Sequence, residues 1–363
     1  MQAQHGRSDS LDAECAVAEL AAQLGHGPHD ALFFFCSADY DLAVLGQALA
    51  RTFDCPLIGC TGSGQIGPTG FTRPGLVGVA LSGGVRVQSY LIPLTDYAAR
   101  TARIALEAVA TAGRNRFGLL LIDGLSMMEE RLIASLYQTL GNVPIIGGSA
   151  SDDLRFERTH VYDGDGRFVS GAAMFCLIDC DAPLHPFKVQ HFRPGDIELV
   201  ITAADPERRI IYEMNGEPAA KVYAEALGLP PAALTPEVFS SHPLVLTFGA
   251  VPYVRSIQKG GRNGAFVCYC AIEEGLIVTI GTADNPLETM AQALREVHQA
   301  IAEPVLILGS DCVMRRLEFT QRGIDADMGR LMADHRVFAF STYGEQYNGI
   351  HVNQTFTGVA IGA

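Results

Sequence analysis

The chain has 363 residues, 48% apolar and 18% charged, enough apolar material for two or three buried cores, which excludes disorder as the dominant state. Forty Asp and Glu against 26 Lys and Arg give a net charge of −14, a field that repels phosphate backbones and anionic bilayers and argues against nucleic-acid binding or a polybasic membrane anchor. No apolar run approaches the ~20 residues of a membrane span, and residues 1–12 lack a signal-peptide pattern, so a soluble, cytoplasmic protein is expected.

An amphipathic helix is predicted over residues 11–24, and from there a unit recurs. Its first copy is an apolar strand over 31–36, a helix with apolar spacing through Leu42, Leu45, Leu49 and Phe53, a strand over 56–60, a Gly-rich turn over 61–70 and a return strand over 75–81. The second copy runs strand 118–122, helix 130–140, strand 143–146, turn 147–153 and return 171–178. The third runs strand 305–308, helix 325–334, strand 337–340, the polar segment STYGEQYNG and return 356–361. Crossover helices between buried apolar strands predict an α/β (α+β) protein of mixed sheets covered by helices. Between the second and third copies lie a polar strand at 197–203, a strand–helix passage at 210–227, a Pro-rich stretch at 230–236, four short strands ending at 276–282 and a helix at 286–301. The composition changes near Pro194, which gives an N-terminal helical extension (1–30), a first domain of two units (31–194) and a second domain (195–363).

Several chemistries find no support in the spacing. Nine cysteines include no CxxC pair, and Cys36, Cys176, Cys268 and Cys270 sit in apolar runs, so a structural zinc site is not expected. The glycines of 59–70 are followed by no lysine and open no GxGxxG helix, which leaves tight turns as their reading. Ser63 and Ser149 lack a nucleophile elbow. Asp152 and Asp153, with Glu157, read either as a metal or acid–base cluster or as turn formers. No nucleophile–base pair is visible, and an enzyme is not expected. Among ten histidines, His351 stands out, in a polar loop between two apolar strands where a neutral imidazole can bind heme iron, another metal or a small ligand. His242 is a second candidate, while His160, His185 and His191 lie in a polar stretch and are expected to be exposed.

The segments FFFCSADYDLAVLGQALARTF, PLIGCTGSGQIGPTGF, PIIGGSASDD, EMNGEPAAKVYAEALG, PYVRSI and FSTYGEQYNGIHVNQTFTGVAIG resemble, in order, the motifs of FIST proteins. Gly62 and Gln65 depart from the Thr and Glu of the typical TAGE-like turn. The resemblance implies N- and C-terminal FIST domains, a sensory ligand-binding role in signal transduction, and a partner histidine kinase or cyclic-di-GMP enzyme (diguanylate cyclase/phosphodiesterase). It is similar to a stand-alone bacterial branch that binds heme and senses nitric oxide, which implies heme as cofactor and His351 as axial ligand, with His242 as the alternative. The polar lining is expected from Tyr343, Gly344, Glu345, Asn348, Asn353, Arg255 and Thr61. The alternative is a heme-free sensor of a small polar metabolite such as an amino acid, its carboxylate held by Arg255. A homodimer is compatible with either, and the acidic surplus suits a basic partner surface.

Overall fold

The computed structural model describes residues 1–25, 27–109 and 115–363. The first unit comprises β1 (Gln2–Ser8), α1 (Ala13–Leu24), β2 (Ala31–Cys36), α2 (Leu42–Thr52), β3 (Leu57–Thr61), the hairpin β4 (Gln65–Gly67) and β5 (Gly70–Thr72), and β6 (Leu76–Ser82). The second repeats the order with β7 (Arg86–Pro93), α3 (Tyr97–Val109), β8 (Asn115–Ile122), α4 (Glu129–Leu140), β9 (Ile145–Ser149), the hairpin β10 (Val161–Tyr162) and β11 (Phe168–Val169), and β12 (Ala172–Cys180). The third opens with β13 (Leu184–Gln190) and is then interrupted by an insertion. This holds β14 (Phe192–Arg193), β15 (Glu198–Asp205), β16 (Ile210–Met214), β17 (Glu217–Pro218), α5 (Ala219–Leu227), α6 (Pro236–Ser241), β18 (Leu244–Phe248), β19 (Val251–Arg255), β20 (Ile257–Gly260), β21 (Phe266–Cys268), β22 (Ile277–Ile280) and β23 (Thr282–Ala283). The third unit resumes with α7 (Pro286–Ala300), β24 (Leu306–Cys312), α8 (Val313–Arg322), α9 (Asp325–Asp334), β25 (Val337–Thr342), the hairpin β26 (Glu345–Tyr347) and β27 (Ile350–Val352), and β28 (Thr355–Ile361).

The three sheets correspond strand by strand: β1-β6-β2-β3-β10-β11, β7-β12-β8-β9-β26-β27 and β13-β28-β24-β25-β4-β5. In each, the two central strands pair in parallel across a helical crossover, one helix in the first two units and α8 with α9 in the third, and the return strand pairs antiparallel to the first of them. The terminal hairpin of every sheet is lent by another unit. β10–β11 completes the first sheet, β26–β27 the second and β4–β5 the third. Each hairpin thus satisfies the open edge of a neighbour's second strand and locks the three units into one body.

Burial explains why the central strands read as continuous apolar runs. In β2 every side chain is buried; Phe33 and Phe35 enter a core shared with Leu119, Leu121, Phe338 and Phe340, while Leu32 and Phe34 face the helices of their own unit. Phe35 stacks on Phe340 with centroids 4.3 Å apart. A fully buried Phe contributes about 1.5–3 kcal/mol relative to exposure. The insertion folds as an antiparallel sheet, β19-β18-β22-β15-β16-β21-β20, with β17 on β16. Its core, which includes Ile201, Ile211, Tyr223 and Phe266, continues into Val313, Met314 and Tyr343 of the third unit and packs against Leu125, Leu154 and Phe156 of the second. The insertion therefore covers strand ends of the repeats.

Several expectations change. Residues 2–8 form a strand paired with β6 along its whole length, so the N-terminal segment is no purely helical extension; an outer strand of Gln, His, Arg and Ser carries almost no apolar signal. β13 precedes the composition change at Pro194 yet pairs with β28, so the third unit begins before it. Five strands, β18 to β22, occupy the stretch where four were expected. The polar loop containing His351 is the β26–β27 hairpin, turned by Asn348 (φ +46) and Gly349 (φ +88), the left-handed pair that a type I′ turn requires. His191 is fully buried: its Nε2 lies 2.7 Å from Glu318 Oε2 and its Nδ1 3.3 Å from Arg315 Nη1.

Candidate functional site

The loops after β9 and β25 meet the insertion in a seam of buried polar and aromatic side chains. After β9, Asp152 organises a tight turn: Oδ1 accepts the Phe156 N–H at 3.0 Å, and Oδ2 accepts Glu157 N–H at 2.7 Å and Arg158 N–H at 2.9 Å. This holds Asp153, Leu154 and Phe156 at positive φ (+67, +60 and +55), a backbone state that costs on the order of 1–3 kcal/mol per residue and persists where surroundings enforce it. Asp152 is thus a turn former. The same Oδ1 accepts the Tyr343 hydroxyl at 2.5 Å, and Tyr343 stacks on Phe156 with centroids 5.0 Å apart. Tyr269 of the insertion lies 5.9 Å from Tyr343. Burial and the Asp152 carboxylate push the Tyr343 phenol well above its ordinary range.

One side of the seam is charged. Arg209, in the β15–β16 turn and at φ +53, donates from Nη1 to the Tyr269 carbonyl at 2.6 Å and from Nη2 to Glu129 at 2.6 Å and to Glu130. The other Glu130 oxygen accepts Ala271 N–H at 2.6 Å. The acidic first turn of α4 thereby clamps the insertion. Burial pushes the Glu129 carboxyl above the usual carboxylate range, opposed by Arg209 and reinforced by Glu130.

His351 faces this cluster from β27. Gln346 Nε2 donates to His351 Nδ1 at 3.2 Å and to Ser149 Oγ at 3.1 Å, which assigns the ring proton to Nε2. That Nε2 is buried without a formed hydrogen bond, with only the Tyr269 carbonyl as a hydrogen-bonding influence. Burial lowers the imidazole to about 4, Arg209 and Arg255 acting in the same direction and Glu130 against it, so His351 is neutral at pH 7. Arg255 Nε and Gln346 Oε1 are also buried without partners. Asn353 Oδ1 accepts Ser256 N–H at 3.4 Å, Ser256 Oγ donates to Gln354 Oε1 at 3.2 Å, and Gln354 Nε2 donates to the Ser240 carbonyl at 2.6 Å. The end of the hairpin is therefore tied to the insertion.

The structure brings together His351, Tyr343, Gly344, Asn353 and Arg255 at this seam. Glu345 lies next to it, fully buried, accepting from the Thr342 and Thr355 hydroxyls and from Thr355 N–H. Asn348 is apart, its Oδ1 accepting Ile145 N–H at 3.1 Å to fix the hairpin turn against β9. Thr61 is also apart: its hydroxyl accepts His160 N–H at 3.2 Å where β3 meets the second unit. His242 is exposed at the end of α6, its Nδ1 3.3 Å from the Val238 carbonyl, and shares no hydrogen bond with His351. Asp152, Glu345 and His351 each have separate partners and make no hydrogen bond to one another. Glu129, Glu130, Arg209, Tyr269 and Gln346 were missed. The acidic pair opening α4 was a usable signal, since carboxylates are favoured in a first helical turn, but Arg209 carries none.

The heme implied by the resemblance needs an open approach to a histidine nitrogen. A Cβ placed on Gly344 would lie 2.3 Å from His351 Cε1 and 2.7 Å from Nε2, so the ring rests directly on the Gly344 backbone. Among the described residues no other histidine hydrogen-bonds to the side chains around His351. The arrangement as folded does not fit a heme plane.

The chain is 29% identical over 114 residues to an uncharacterized protein of Methanocaldococcus jannaschii, a match covering 31% of this chain and 21% of that protein; the chain thus spans about a fifth of the length of that curated relative. Among solved structures it is similar to a cyanuric acid hydrolase from A. caulinodans (12% identity, 49% of this chain and 71% of that one, TM-score 0.27) and to another cyanuric acid hydrolase (10% identity, 99% of both chains, TM-score 0.32). Likeness at these scores carries no argument about function. The models of the FIST N domain and the FIST C domain match residues 30–217 and 219–348, and the chain belongs to the FIST family of sensory signal-transduction proteins.

Proposed function

We propose that this protein is a sensor of a small polar metabolite carrying both a carboxylate and an amine, such as an amino acid, received at the seam between the insertion and the second and third units. The observation that carries this reading is the set of buried polar atoms without partners, Arg255 Nε, His351 Nε2 and Gln346 Oε1. Each buried unsatisfied group costs about 1–3 kcal/mol, which a ligand able to pair with it would recover. Arg255 suits a carboxylate, since a guanidinium grips it through two parallel bonds, and Glu130, partly exposed, suits the amine. Occupancy would compete with the Arg209–Glu130–Ala271 clamp and shift how the insertion sits on α4. A ligand shifts such an equilibrium only by its differential affinity for the two arrangements.

The signal is read, on this proposal, by a separate cytoplasmic partner, a histidine kinase or cyclic-di-GMP enzyme, whose contact surface is basic; weakening of the complex by salt tests that charge complementarity. Among the described residues no helix is long and apolar enough to cross a membrane. The direct experiment is a thermal-shift screen of the whole chain against amino acids, with Arg255→Gln as the control. A saturable shift that disappears in that variant is expected, and no shift with any amino acid would overturn the reading. The nitric-oxide reading draws on one observation, the neutral His351 whose Nε2 has no hydrogen-bond partner, and requires the ring proton to move to Nδ1 and the hairpin to leave Gly344. A Soret band in the protein as isolated, lost in His351→Ala, would establish it in place of the metabolite.

A further inference from the structure

The Gly-rich turn after β3, which the seam does not use, carries a second arrangement of charge. α8 places Arg316 against this turn: a Cβ on Gly64 (φ +135) would fall on Arg316 Nη1, so the guanidinium lies on bare backbone where no other residue type would let it. Its face covers the Phe71 ring at 4.8 Å, a contact worth about 0.5–2 kcal/mol. Among the described residues Arg316 forms no ion pair, and its Nη1 is buried with no hydrogen-bond partner.

The neighbouring carboxylates act on it only at a distance: Asp325 and Asp311 lie within electrostatic reach of Arg316, and neither is bonded to it. Arg315 Nε donates to Asp311 Oδ1 at 2.7 Å, and both side chains are fully buried. Asp325 accepts the Thr320 hydroxyl at 2.8 Å. Arg73, within electrostatic reach of Arg316, pairs with Asp153. Arg315 and Arg73 thus each have a bonded carboxylate, whereas Arg316 has Asp325 and Asp311 within reach but no carboxylate bonded to it. The Ser341 hydroxyl, also buried without a partner, stands on the same face of the sheet as Asp311, its register partner, and Ser341 N–H binds the Gly64 carbonyl at 2.8 Å.

We infer that Arg316, with Arg73 beside it and the Gly64 turn beneath, forms a binding site for a small oxyanion, a phosphate or a carboxylate group, at the junction of the first and third units. A guanidinium is always charged at physiological pH, and leaving it largely out of water without a bonded counter-charge is costly enough that such groups are normally paired. Arg316 already has the Phe71 face to orient it, so an anion arriving at its edge meets a preset donor fork. Because β4–β5 belongs to the first unit and α8 to the third, an anion here would tighten the exchange of hairpins between units.

The test is isothermal titration calorimetry of the full chain with inorganic phosphate and, separately, with malonate, at constant ionic strength set by chloride. Saturable binding of at least one is expected, weakened at least tenfold in Arg316→Gln and several-fold in Arg73→Gln. Phosphate alone assigns a phosphorylated ligand and malonate alone a carboxylate. No saturable binding of either, or parental affinity in Arg316→Gln, overturns the inference. If Arg316→Gln does not fold, Arg73→Gln decides, since the Arg73 side chain is 53% exposed, and unchanged affinity there overturns it equally. Malonate can also reach Arg255, so malonate binding that persists in Arg316→Gln and is lost in Arg255→Gln belongs to the metabolite site, which keeps the failure of this inference distinct from the failure of that reading.

Discussion

Glu345→Gln gives the sharpest test of how this polar interior is held. Glu345 is completely buried, and burial raises its carboxyl from the ordinary 4.5 to about 8, against the opposing hydrogen bonds from Thr342 and Thr355. The folded chain therefore keeps a proton that the unfolded chain releases above pH 4.5. The unfolded state binds fewer protons, and stability falls as pH rises through that window. At about 1.36 kcal/mol for each unit of pKa, the full span corresponds to roughly 5 kcal/mol, of which about 3 kcal/mol is lost between pH 5.5 and 9. Gln reproduces the neutral acid: its amide oxygen can accept from Thr355 N–H, and its NH2 can donate to the Thr342 hydroxyl. Gln65 occupies the corresponding place in the first unit, after Gly64 as Glu345 follows Gly344. Urea denaturation from pH 5.5 to 9 should show wild-type stability declining and Glu345→Gln declining about 3 kcal/mol less, so that the variant is the more stable protein at pH 9. Parallel slopes for the two proteins would refute a protonated Glu345.

Three further outcomes are expected. Arg209→Met leaves Glu129 buried without its cation and should lower unfolding free energy by about 3–5 kcal/mol at pH 7, measured by urea denaturation; a loss under about 1 kcal/mol would show the clamp to be dispensable. Gly344→Ala forces a side chain to φ +142 and against the His351 ring and should lose about 2–5 kcal/mol from backbone strain and overpacking, whereas Gly228→Ala, in the left-handed region at φ +67 and in open space at the end of α5, should lose only about 1–2 kcal/mol. Tyr343→Phe removes one donor from Asp152 while three backbone N–H donors remain, so a modest loss of about 1–2 kcal/mol is expected, with near-ultraviolet circular dichroism reporting whether the stack on Phe156 survives.

The three-unit organisation was legible because its strands are apolar on both faces. A run such as residues 31–36 must be buried on both sides, and its recurrence with a following helix announces a repeat whatever the partners are. The lent hairpins were not legible. Glu345, Gln346 and Tyr347 pair with residues of β9 almost 200 positions earlier in the chain, and a segment short enough to complete any open edge carries no mark of which edge it completes. The segment around His351 was read as a loop for that reason: Tyr, Glu, Gln, Asn and His signal exposure in a single strand and become buried only when another unit supplies the opposite side.

The candidate site divides along the same line. Tyr343, Gly344, Asn353 and His351 share one turn and one hairpin, so neighbourhood in sequence already places them together. Arg209 joins Glu129 across 80 positions, and Asn353 meets Ser256 across 97; no local pattern encodes such meetings, which depend on where the insertion lands. The sequence by itself determined the composition of the cores, the threefold repetition and the membership of the FIST family, because hydrophobic periodicity and motif order are properties of a chain read along its length. Only the tertiary structure decided which polar groups are buried together, which of them lack partners and which arginine has no acid bonded to it, because desolvation and pairing are set by distances between segments that the chain brings together only when all three units close.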